Sequence, residues 1–158
     1  MHPTTDKNVR LARMTARTLL ILRHASAANE PGTADADRPL TPIGRKEASE
    51  AGRRLAVAKP ERVLCSPALR TRQTWQQVSA ELASQPKVTF EPGIYEASVD
   101  ALRELIWQTG DEIGTLLLIG HNPAVHELAW ILLGDQAPQH FPPASLAEVT
   151  FDGAWTEL

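Results

Sequence analysis

Apolar residues in this chain fall into short continuous runs separated by longer stretches with helical spacing. The densest runs are Thr18 to Leu22 and Thr115 to Ile119. Both are too short for a helix and lack polar alternates, the pattern of strands buried on both faces of a parallel sheet. Arg62 to Cys65 predicts a third strand, Lys87 to Phe90 an edge-like fourth, and Leu146 to Phe151 a last one of mixed alternation. Apolar positions Ile43, Ala48, Ala51, Leu55 and Ala58 predict a helix ending near Lys59. Further helices are expected from Ser66-Pro67 to Ala83, from Ser98 to Thr109 with Leu102, Leu105 and Ile106 inward, and from Asn122-Pro123 to Leu133, where Gly134 stops it. Thr41-Pro42 opens the first helix, so one signal recurs three times: a capping side chain, then proline. Strands alternating with helices predict a three-layer α/β/α sandwich with a mainly parallel sheet. Ligands of such folds lie beyond the carboxyl ends of the strands.

The 158 residues suffice for one domain, placed at residues 18–158. Residues 1–17 carry Lys7, Arg10, Arg13 and Arg17 against Asp6 and read as a basic, flexible extension. A net charge of -3 argues against nucleic-acid binding. No run approaches the roughly 18 apolar residues of a membrane helix. Cys65 is the one cysteine, which fits a reducing, cytoplasmic setting. An anion would have to meet a local basic cluster.

The strand ends provide that cluster. Leu22 leads to Arg23-His24, Cys65-Ser66-Pro67 leads to Arg70, and Ile119 leads to Gly120-His121-Asn122. In a parallel sheet the three junctions share one edge. Two histidines, two arginines and two helix N-termini there suit a phosphoryl group. A neutral imidazole, its other N–H held by an acceptor, can attack phosphorus. No His, Cys or Asp spacing predicts a metal site, and no cofactor is expected.

Four segments together resemble the histidine phosphatase superfamily, with its phosphoglycerate-mutase-like fold, and within it the SixA-type phosphohistidine phosphatases. They are Leu22-Arg23-His24-Ala25, Leu40-Thr41-Pro42-Ile43-Gly44, Ser66-Pro67-Ala68-Leu69-Arg70-Thr71-Arg72-Gln73-Thr74 and Gly120-His121-Asn122-Pro123. The resemblance implies a phosphatase with His24 as the phosphorylated nucleophile and Arg23, Arg70 and His121 around the phosphoryl group. Asn122 is expected to bind substrate. Ala25 departs from the family's usual glycine and would be strained if that position needs a positive φ. Glu96, in Ile94-Tyr95-Glu96, stands where relatives carry a proton donor; Glu91 is the alternative. The implied substrate is phosphohistidine on a protein. Alternatives are a small phosphate ester, or phosphate binding without catalysis.

Other candidates have plainer readings. Cys65 is a buried strand-end residue, one position too close to Arg70 for a cysteine-dependent phosphatase. His121 and His126 lie about 140° apart on a helix and cannot pair on a metal. The four tryptophans are expected in core packing, and Ser145 at the pocket rim.

Overall fold

The computed structural model describes residues 16–158, so most of the predicted extension lies outside the described residues. The first apolar run forms strand β1, Ala16–Arg23. It begins two residues earlier than the sequence suggests. Arg17 belongs to this strand rather than to an extension: it is buried and donates to the carbonyls of Gly153 and Asp111. The remaining elements are α1 (Pro42–Ala58), β2 (Arg62–Cys65), α2 (Leu69–Ala80), β3 (Lys87–Phe90), α3 (Val99–Trp107), β4 (Thr115–Gly120), α4 (Ala124–Leu133) and β5 (Leu146–Asp152).

The five strands lie in the order β3-β2-β4-β1-β5. All neighbouring pairs are parallel except β1 with β5. Side chains of a strand alternate between faces, and here both faces are covered. Leu19, Ile21, Leu116 and Leu118 pack with α3 and α4 residues such as Leu102, Ile106 and Leu128. Leu20, Leu22, Leu117 and Ile119 pack with Ala51 and Leu55 of α1 and Trp75 and Val78 of α2. Burial on both faces explains why β1 and β4 read as unbroken apolar runs. The expected α/β sandwich is the one formed.

The helix starts differ from the sequence reading in two of three cases. Thr41 caps α1 as expected, its hydroxyl accepting the Gly44 N–H at 3.0 Å. Ser66 does not cap α2, which begins at Leu69 after Ala68 and has no side-chain cap. Asn122 does not cap α4 either; Pro123 occupies that place. Both side chains are turned to other partners in the site. Ile43, one of the apolar positions that predict the helix, is 69% exposed; the first turn of α1 buries Gly44 instead. A Cβ on Gly44 would stand 2.0 Å from the Ser26 carbonyl oxygen, so only glycine lets α1 press against the loop after β1. Trp75 and Trp155 are core residues as expected, whereas Trp107 and Trp130 are substantially exposed.

Candidate active site

Strands β2, β4 and β1 are neighbours, and their register aligns Cys65 with Ile119 and Arg23 with Gly120. The residues that follow therefore emerge side by side. The ladder continues one step into the loops: His24 N–H donates to Gly120 O at 3.1 Å, and Ser66 N–H to Ile119 O at 3.1 Å. The rings of His24 and His121 end with centroids 5.3 Å apart. The three predicted junctions thus converge.

His24 is 8% exposed. Its Nδ1 lies 2.8 Å from the carbonyl oxygen of Ala25. A carbonyl only accepts, so Nδ1 carries the proton and Nε2 keeps its lone pair. Burial, joined by the charges of Arg70, Arg23 and Arg38, pushes this histidine down to about 4, while the Ala25 carbonyl opposes the shift. The imidazole is neutral at ordinary pH and nucleophilic at Nε2.

Ala25 fits its place without the feared strain. The non-glycine residues with positive φ are Lys59, Glu96 and Ala144, and Ala25 is not among them. Its methyl group is buried with Leu40 and Ala48. Its N–H donates to Thr74 Oγ1 at 3.0 Å, and the Thr74 hydroxyl donates to Arg70 O at 2.7 Å. Gln73 Oε1 accepts the N–H of Leu40 at 2.8 Å. The Gln-Thr pair of the α2 segment therefore ties that helix to two loops of the site.

The arginines are held by part of their forks only. Arg23 donates through Nη1 to Phe141 O at 3.1 Å. Arg70, largely buried, donates through Nη1 to Asp35 O at 2.7 Å and through Nη2 to Asp35 Oδ2 at 3.1 Å. Arg23 Nε, Arg70 Nε and His121 Nδ1 are buried without a hydrogen-bond partner. A fold rarely leaves buried donors unmatched. Together with His24 they make a set suited to an oxyanion. Desolvation and the neighbouring Arg70 also lower the pKa of Arg23, as expected for cations gathered in one place.

Asp35, Tyr95 and Phe141, which the sequence did not single out, complete the site. Asp35 accepts from Arg70, from Arg38 Nη1 at 3.2 Å, and from the Tyr95 hydroxyl at 2.5 Å. Tyr95 first, then the two arginines, hold this carboxyl down at about 2. The Tyr95 ring meets His121 edge-on at 5.7 Å. The proline-rich segment supplies Phe141 O, which accepts from both Arg23 and Asn122 Nδ2, the latter at 2.8 Å. Asn122 is thus beside Arg23, and its Oδ1 is buried without a partner. Ser145 contributes its carbonyl, bonded to Arg23 N–H at 3.0 Å, rather than its hydroxyl. A tyrosine beside the expected acid, and an aspartate three residues before Arg38 of the Arg-Pro-Leu-Thr stretch, were the available sequence signals.

Glu96 follows Tyr95 at positive φ and is exposed, with no hydrogen bond or ion pair among the described residues. Glu91 reaches Cys65 O through its main-chain N–H alone. The Cys65 thiol is buried, bonded to Ser66 O, and pushed well above its usual range by desolvation, which fits its structural reading. His126 stacks on Phe141 from α4. Among the described residues there is no cluster of metal-ligating side chains and no helix long and apolar enough to cross a membrane.

Comparison with known proteins agrees with this geometry. Residues 19–113 match the model of the histidine phosphatase superfamily, branch 1. The phosphohistidine phosphatase SixA of Escherichia coli is 32% identical over 144 residues, covering 85% of each chain. The solved structure of the protein assigned as phosphohistidine phosphatase SixA in Nakamurella multipartitia superposes with a TM-score of 0.79 at 30% identity, covering 90% of this chain and 88% of that one. A protein histidine phosphatase SixA solved with tungstate gives 0.74 at 31% identity, with 85% and 88% covered. At the level of fold alone, the likeness extends to a phosphoglycerate mutase of Bacillus anthracis, at 0.66 and 16% identity, with 89% and 91% covered. The chain belongs to the histidine phosphatase superfamily and is a phosphatase of that type.

Proposed function

We propose that this phosphatase removes the phosphoryl group from phosphohistidine on a protein, through a phosphohistidine intermediate of its own at His24. The observation that carries the mechanism is that Arg23 Nε, Arg70 Nε and His121 Nδ1 are buried and unmatched on residues close to His24, whose imidazole Nδ1 is already bound. In the first step His24 Nε2 attacks phosphorus, the bond from phosphorus to the leaving nitrogen breaks, and that nitrogen takes a proton. The donors stabilise the charge on the equatorial oxygens. In the second step water attacks phosphorus, gives up a proton, and the bond to Nε2 breaks to release orthophosphate. No step calls for a metal or cofactor.

The substrate class is supported by the SixA relatives. A cytoplasmic location fits the free, buried thiol of Cys65. Glu96 is proposed as proton donor for ester substrates only. A phosphohistidine leaves more readily and places little demand on an acid.

Rapid acid quench with a radiolabelled phosphohistidine protein tests the proposal. An acid-labile phosphoryl group should appear on the wild-type chain and be absent from His24→Ala, whose turnover falls by roughly 10⁴-fold or more. Turnover unchanged in that variant would end the nucleophile reading. A marked preference for small phosphate esters over the phosphoprotein would replace the substrate class. Glu96→Gln should slow ester hydrolysis more than phosphohistidine hydrolysis, and equal losses remove its role as acid.

A further inference from the structure

Ser66 is fully buried at the end of β2. Its hydroxyl is not used as a helix cap, since α2 starts three residues later. Instead Ser66 Oγ lies 2.7 Å from Nε2 of His121 and accepts the Ala68 N–H at 3.3 Å. The Ser66 carbonyl is engaged separately, by the thiol of Cys65 and the hydroxyl of Thr71.

Proton counting decides who donates. A hydroxyl has one proton and two lone pairs. The Ala68 N–H uses a lone pair, and the acceptor in reach of the proton is His121 Nε2. Burial, then the charges of His24 and Arg70, hold His121 down at about 3, so its ring is neutral and has a single N–H. With Nε2 accepting from Ser66, that N–H sits on Nδ1. Nδ1 is the buried atom left without a partner in the site. The opposite tautomer would strand the Ser66 proton and turn a lone pair toward the anion.

We propose that Ser66 is a positioning residue that fixes His121 in the Nδ1–H tautomer, so that this histidine donates a hydrogen bond to the phosphoryl group transferred through His24. The inference rests on the phosphoryl-pocket reading above. It adds that one of the three donors exists as a donor only because a serine lies behind it. Groups behind a histidine ring set its tautomer in metal sites and catalytic triads by the same logic.

Nitrogen NMR of the full chain with labelled histidine reads the tautomer directly. His121 should show a pyrrole-like Nδ1 and a pyridine-like Nε2; the reverse assignment overturns the proposal, whether or not any variant folds. Ser66→Ala should erode that preference and lower kcat by roughly 100-fold, the cost of losing one aimed donor. In a His121→Ala background the same change should lower kcat less than about twofold, because Ser66 would have nothing left to orient. A loss equal in both backgrounds shows that Ser66 acts otherwise and sinks the idea. If the pocket reading itself were wrong, His121→Ala would keep full activity while the NMR assignment stood, so the two failures are told apart.

Discussion

The two walls of the site are built on opposite plans. The wall formed by β1 and β4 carries His24, Arg23 and His121, and main-chain hydrogen bonds fix its geometry. His24 N–H and O, Arg23 N–H and Ser66 N–H all join the ladder or the 144–145 segment. The facing wall is two loops, one with Asp35 and Arg38 and the other with Tyr95. Apart from local turns and the Ala27–Leu40 bridge within the first loop, side chains join these loops to each other and to Arg70, with Asp35 half exposed and bonded to three partners. Backbone bonds within a sheet are shared with the core and yield only when the sheet does. Charged side-chain contacts at the surface are each worth a fraction of that. The proposed reacting nitrogen at His24 and the donors Arg23 and His121 are thus on the stiff side, and the proposed entry for substrate is on the soft side.

Arg70 belongs to both walls, so it gives the sharpest test of this contrast. Arg70→Ala removes an aimed donor and also frees Asp35. Phosphatase activity should fall by roughly 10²- to 10³-fold while the melting temperature changes little. A large loss of stability instead would mean that the soft wall supports the fold.

The stiff wall has its own signature in pH. The histidines at 24 and 121 are held at about 4 and about 3, below the ordinary 6.5. Between those values and 6.5 the unfolded chain binds protons that the folded chain refuses. Stability therefore falls as pH drops below 6.5, and the loss is complete only below the folded values. Thermal unfolding from pH 7 to pH 4 should show a decline of several degrees that is shallower in His24→Gln. Identical slopes would remove the buried-neutral description of His24.

The soft wall should respond least and in the opposite sense. Asp35 engages both terminal nitrogens of Arg70, and its charge opposes that of an arriving anion. Asp35→Asn should tighten inhibition by orthophosphate or tungstate by roughly two- to fivefold, the worth of one exposed ion pair. Weaker inhibition would show that Asp35 assists the anion rather than competing with it.

What could be read from the chain follows the same division. The continuous apolar runs placed β1 and β4, and the residues directly after them, because strand register needs only the sequence to propagate. His24, Arg23 and His121 were legible for that reason. Arg70 was legible through its motif. Asp35 and Tyr95 were not, since their place depends on how two polar loops fold across the strand ends, and no periodicity records that. Ser66 and Asn122 were misread as helix caps. The serine-proline and asparagine-proline signals are the same whether the side chain bonds its own helix or a group across the site. The strain that a positive φ would have brought at Ala25 does not arise, and that φ could not be read from the chain.

The hydroxyl of Thr74 touches both the main chain of Ala25 and the carbonyl of Arg70. A designer wishing to reshape the phosphate end of this pocket would meet that hydroxyl first. Moving the loop after His24 shifts the arginine, and moving the arginine shifts the loop. Changes to either must be made as a pair, so gradual drift at this end is restricted. New specificity has freer scope in the Asp35 and Tyr95 loops, which meet through one exposed side-chain hydrogen bond.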